Sequence, residues 1–220
     1  MTRRLAGDVP EDVIDALAGI APGSALDTAR NRRPQARIHA QASYDALFHP
    51  ADPGGPTDPV GPAGSGGMEP VERFAVAAFI AGLHGDGAAQ EFYGAGLVGS
   101  GAPPALFGAM AAASAGAAGH GPYGSYPAGP LTREDTPGPA YRAPGPHRSI
   151  LGLRLVAALE HAHMLVLHPR DAAPAHLQSL LDAGWDTPGI ITLSQLVAFL
   201  SYQIRVAAGL RVLAAMDARA

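Results

Sequence analysis

The run "WDTPGIITLSQLVAFLSYQIRVAAGLRVLAAM", from Trp185 to Met216, constrains this chain more than any other. Asp186 or Thr187 supplies a cap whose side-chain oxygen satisfies a free backbone N–H, and Pro188 falls in the first turn, where its missing N–H costs nothing. The helix that follows runs about 25 residues, roughly 37 Å at 1.5 Å per residue. The rest of the sequence offers more of the same. Alternating β-branched runs are few, while Ala, Leu and helix punctuation are abundant. The expectation is an all-α fold, a bundle of antiparallel helices joined by long Gly/Pro-rich loops.

"DVPEDVIDALAGI" gives a short helix with Val13, Ile14 and Leu17 on one side and Gly19 at its stop. A second runs from Pro34 to Phe48, with Ala40, Tyr44, Leu47 and Phe48 as its apolar stripe. After a Pro- and Gly-rich loop, a third starts at Pro70 with Glu72 in its first turn, where the helix dipole favours an acid. It is apolar nearly all round as far as Leu83, so it should be central. Gly85 and Gly87 weaken it before "AAQEFY" resumes helical spacing. Between Gly99 and His147 only a helix near Leu106 to Ala115 is expected. The remainder has too few apolar side chains to offset the cost of ordering it and reads as a mobile connection. Ser149 to Leu167 places Leu151, Leu155, Leu159, Ala162 and Val166 on one face before Pro169, and "APAHLQSLLDAG" is a short helix stopped by Gly184. The whole is read as one domain over 1–220: an N-terminal helical segment 1–48, a first helical half 69–115, a flexible connection 116–148 and a second half 149–216.

Composition excludes several functions. The 220 residues carry a net charge of −4 and no cysteine, so disulfides, thiolate metal sites and thiol catalysis are all ruled out. The densest basic cluster, "RNRRPQAR" from Arg30 to Arg37, reads as a solvated loop and helix start rather than a nucleic-acid surface. The N-terminus has two arginines without an apolar stretch behind them, and the greasiest segment is interrupted by Gln195, Gln203, Arg205 and Arg211. No membrane span, no nucleic acid and no cofactor are expected, and a cytoplasmic protein follows as the default. No P-loop, Rossmann glycine pattern or Gly-x-Ser-x-Gly elbow is present, and "GAGLVGSG" lacks the strand a phosphate loop requires.

The order of these pieces resembles a known superfamily. "LGLRLVAALEHAHMLVLHP", a short helix ending "LLDAGW", then "TPGIITLSQLVAFLSYQIRVAAGL" are similar to the C-terminal part of the carboxymuconolactone decarboxylase and alkylhydroperoxidase D superfamily. "VERFAVAAFIAGLHG" resembles its redox-site helix, and "DVIDALAGIAPGSAL" with "RPQARIHAQASYDALF" resembles the N-terminal segment of its CMD-domain proteins. The resemblance implies an alkylhydroperoxidase D-like bundle. Thiol members carry a glutamate on the helix, a CxxC pair at its end and a histidine soon after. Here those positions fall on Phe74, Asp86, Ala89 and Tyr93, and a slip of one residue brings Arg73 under the glutamate. Without sulfur the family's peroxidase chemistry is not carried over. Its decarboxylase branch needs no thiol pair, so acid–base chemistry stays open.

Two groups of residues are candidates for that chemistry. His84 and Asp86 flank Gly85, with Glu91 and Tyr93 following; an imidazole, a carboxylate and a phenol make a general acid–base set, or merely a polar helix end. Glu160 and His163, three apart, share a helix face with Leu153, Val156 and Leu167, as a structural pair or, less in keeping with a single E-x-x-H, as metal ligands. His161 is expected to point elsewhere, to the surface or an interface. Gln195, Tyr202 and Arg205 on the final helix line a pocket's opposite wall or pack between subunits. Three functions follow: a small-molecule enzyme using His84 with Asp86 or Tyr93, a catalytically silent binding or assembly partner, and a metal-dependent oxidoreductase using Glu160 and His163. His84 is expected to approach Glu160 or His163 across the core. The apolar surface of the final helix points to a homo-oligomer, and a pocket to a small-molecule ligand.

Overall fold

The computed structural model describes residues 10–50 and 67–217. It is all-α: among the described residues there are nine α-helices and no strand beyond one bridge between Gly124 and Thr136. The helices are α1 (Val13–Ala18), α2 (Ala25–Asn31), α3 (Pro34–Phe48), α4 (Pro70–Leu83), α5 (Gly87–Gly99), α6 (Pro104–Gly116), α7 (Gly145–Leu167), α8 (Pro174–Asp182) and α9 (Thr187–Asp217).

Local chemistry sets most of the ends. Asp12 caps α1 by accepting from the Asp15 N–H at 2.8 Å, and Gly19 stops it at φ 69°. Asp186 caps α9 by accepting from the Gly189 N–H at 2.8 Å. Glu72 accepts from the Glu69 N–H at 2.9 Å at the start of α4.

The basic cluster departs from expectation. It spans the end of α2 and the start of α3; Arg32 and Arg33 are exposed, while Arg30 and Arg37 are ion-paired. Arg37 pairs with Asp12 at 3.0 Å and Asp27 at 2.6 Å, Arg30 pairs with Asp12 at 3.0 Å, and both reach Asp15. These pairs bind α1, α2 and α3 into one unit.

The hub of the bundle is α4, which packs against α3, α5, α6, α7 and α9. Ala75, Val76, Ala77, Phe79, Ile80 and Ala81 are completely buried along it. Small residues permit close approach. A Cβ on Gly82 would lie 2.7 Å from the Ser114 Cβ of α6, and one on Gly96 of α5 would overlap the Phe74 ring. Arg154 of α7 ties the N-terminal end of α4 to the α8–α9 turn. It bonds Glu72 at 2.6 Å and the Gly184 carbonyl at 2.8 Å, and lies 4.0 Å above the Trp185 ring.

Two features of the second half were not foreseen. α7 is broken at Gly152, whose φ 75° and ψ 159° are non-helical. The segment 117–144 has a short 3₁₀ turn, Pro130–Glu134, and the Gly124–Thr136 bridge, and it is anchored to the helices. The Tyr123 N–H donates to the Leu167 carbonyl at 2.6 Å, the Ser125 N–H to Asp171 at 3.0 Å, and Arg170 stacks 4.3 Å from the Tyr126 ring. Tyr141 and Ala143 are buried.

The expectation that no segment reaches membrane-span length is corrected for α7 and α9. Both are long and apolar enough, with mean hydropathies of 1.6 and 1.4, because scattered Gln and Arg residues do not outweigh the Leu, Ile, Val and Ala around them. In this fold α7 is a core helix, with Ala158, Leu159 and Ala162 fully buried.

Candidate functional site

The junction between α4 and α5 is held by structural contacts. Asp86 is the N-cap of α5, accepting from the Ala89 N–H at 2.9 Å, and it forms an ion pair with Arg211 of α9. Arg211 also donates to the Leu17 carbonyl at 2.9 Å, so Asp86 fastens α1, α5 and α9 together. Tyr93 is fully buried against Phe48, 5.2 Å between ring centroids, and its hydroxyl donates to Gln203. Burial raises the Tyr93 pKa well above the usual phenol value, the Tyr44 phenol adds to this, and the Gln203 bond opposes it. Arg73 is buried and donates to the carbonyls of Met68 at 2.8 Å and Leu47 at 2.5 Å. Glu91 is exposed.

His84 caps the C-terminal end of α4 and faces α9, with its Nε2 3.4 Å from Ser201 Oγ. Burial lowers its pKa, the Arg205 charge lowers it further, and Asp86 works in the opposite direction. Glu160 and His163 line a different cavity. The expected meeting of His84 with Glu160 or His163 is therefore corrected: they line separate cavities and have separate partners. Glu160 accepts from Arg142 at 2.9 Å, Arg148 at 3.2 Å and the Ala143 N–H at 3.2 Å.

That second cavity, about 380 Å³, lies between α7, α8 and the segment leading into α7. It collects many titratable side chains, among them Tyr141, Glu160, His161, His163 and His168. His161 lies inside rather than on the surface, only 6% exposed. A helix packed on several sides buries more than one face. Burial lowers the His161 pKa to about 4, and the His176 charge adds to the shift. Burial likewise lowers His163 to about 4, helped by His168 and Arg142 and opposed by a backbone hydrogen bond at Ala117. Tyr141 is raised by burial and by the Glu160 charge, with Arg148 opposing. At neutral pH the cavity thus holds two uncharged imidazoles beside a protonated phenol. The Tyr141 and His163 rings are 5.8 Å apart. The Tyr141 hydroxyl and His161 Nδ1 are buried with no hydrogen-bond partner among the described residues. Such atoms cost free energy unless something binds them.

His168 closes the inner end. Its Nε2 faces the Pro139 carbonyl at 2.9 Å and its Nδ1 faces Asp171 at 3.2 Å. Both partners are hydrogen-bond acceptors. Metal ligation by Glu160 and His163 does not suit this surrounding. Two guanidinium groups hold the carboxylate, and no group of three or more His, Asp and Glu side chains is poised for a metal among the described residues.

Sequence reasoning missed Tyr141, which sits in a Gly/Pro-rich stretch without periodicity, and His168, placed beyond the helix end. Of the final-helix candidates, Gln195 and Tyr202 face outward and Arg205 lines the His84 cleft. No family model, curated protein or solved structure matches the chain.

Proposed function

We propose that this chain performs thiol-independent acid–base chemistry on a small carbonyl compound in the α7 cavity, as a cysteine-free member of the carboxymuconolactone decarboxylase and alkylhydroperoxidase D superfamily. The carrying observation is the pair of unpartnered buried polar atoms, the Tyr141 hydroxyl and His161 Nδ1, in residues lining one cavity. An uncharged imidazole takes a proton from carbon next to the carbonyl, and the Tyr141 O–H donates to the oxyanion that develops. The order of helices, with Arg205 past the middle of α9, supports the family reading. The test is deuterium uptake from D2O into the α-carbons of small keto acids, followed by proton NMR. Wild-type protein should catalyse it for at least one, and Tyr141→Phe and His161→Asn should each lose about a hundredfold or more. No catalysis across the panel, or rates unchanged in both variants, would refute the reading.

A second reading, a catalytically silent binding or assembly partner, is favoured by the outer face of α9. Ile191, Tyr202, Val212, Leu213 and Met216 are all exposed there. Under it the chain forms a homo-oligomer through α9. Light scattering at micromolar concentration should then exceed the 22.4 kDa of one chain. A single-chain mass would remove this reading.

A further inference from the structure

We propose that the cleft between the C-terminal turn of α4 and α9 binds a small organic monocarboxylate with an apolar body. One face of α9 presents Ser194, Val197, Ala198, Ser201 and Arg205, spaced three and four residues apart. It looks across a cavity of about 840 Å³ toward His84 and the end of α7. That volume suits a small-molecule ligand. No residue lines both this cleft and the α7 cavity.

The charge of the cleft is one-sided. No Asp or Glu lines it, and Arg205 makes no hydrogen bond or ion pair among the described residues. The nearest carboxylate that bears on His84, Asp86, is committed to Arg211 and to the α5 cap. His84 Nε2 and Ser201 Oγ, 3.4 Å apart, offer neutral hydrogen-bonding groups one turn from Arg205. Burial and the Arg205 charge favour the uncharged form of His84, so the guanidinium is the permanent cation of the cleft. One guanidinium matches one carboxylate in a two-point pair; a phosphate dianion would leave charge unmatched. Behind these groups Val166, Leu167, Val197 and Ala198 form an apolar wall for the body of the ligand. The segment closing the cleft is seated firmly, since a Cβ on Gly121 would come within 2.8 Å of the Leu167 carbonyl oxygen.

Calorimetric titration of the full chain with sodium octanoate tests this, with 1-octanol and octylammonium as controls of equal length. Octanoate should bind saturably and more tightly than either control. Arg205 is exposed, so Arg205→Gln should keep the helix content while weakening octanoate by about tenfold or more. Ala198→Phe, which fills the cleft, should abolish binding, and Tyr141→Phe in the α7 cavity should leave it unchanged. The absence of saturable octanoate binding, equal affinity in a folded Arg205→Gln protein, or octylammonium binding as tight as octanoate would each overturn the proposal.

Discussion

The Tyr93 hydroxyl donates a hydrogen bond to the Gln203 side-chain oxygen, joining α5 to α9 through two completely buried side chains. The Gln203 Nε2 has no partner among the described residues, so this bond is all that satisfies the amide. Tyr93→Phe should destabilise the protein by about 1–3 kcal/mol, because it strands the acceptor. Adding Gln203→Leu should recover most of the loss. Urea denaturation of both single variants and the double variant measures the coupling. Additive losses would show that the bond contributes little.

Asp86 should behave as a structural residue rather than a chemical one. Asp86→Ala removes the α5 cap and the ion pair with Arg211, which keeps its bond to the Leu17 carbonyl, at a cost of about 1–2 kcal/mol. Keto-acid exchange by the folded variant should be unchanged. A large loss of rate at undiminished thermal stability would return Asp86 to the candidate chemistry.

Stability should fall with acid between about pH 6.5 and 4. His161 and His163 are depressed from 6.5 to about 4, chiefly by burial, so the unfolded chain binds more protons than the folded one across that window. Their contribution is fully present above the unfolded value and is lost as pH drops through the interval. Urea midpoints at pH 7, 5.5 and 4.5 should descend, and His161→Gln should flatten the descent. NMR titration of the two imidazoles with midpoints near 6.5 would contradict both the shifts and the proposed neutral bases.

Gly152 holds the break in α7 at φ 75° and ψ 159°, a region closed to residues with a Cβ. Nothing lies within 4 Å of an added Cβ, so backbone strain alone should make Gly152→Ala cost about 1–3 kcal/mol. A melting temperature equal to wild type would show that the break relaxes into continuous helix.

The sequence made the apolar helices legible because their periodicity and their prolines are local signals. α3 and α4 start at Pro34 and Pro70 and end at Phe48 and Leu83, as their spacing predicts. The break at Gly152 was illegible because a lone glycine in an apolar run reads equally well as a tolerated helical residue. Segment 117–144 makes contacts that its composition does not announce. Its backbone N–H groups bond to Leu167 and Asp171, partners distant in sequence. Glu160 and His163 line one cavity, as a three-residue helical spacing implies. The partners of these groups are not legible in the same way: Glu160 is met by Arg142 and Arg148, and His84 by Ser201, none of which periodicity distinguishes.

The alanines of α4 make tolerance to change one-directional. At Ala75, Ala77 and Ala81 there is almost nothing to remove, and every replacement except glycine adds atoms where five helices already touch. The middle of this protein is therefore harmed by enlargement rather than by loss, unlike a core of leucines, which fails by hollowing. A laboratory selection for bulkier ligands would find its permissive positions along α7 and α9, at the cavity walls, and leave α4 untouched.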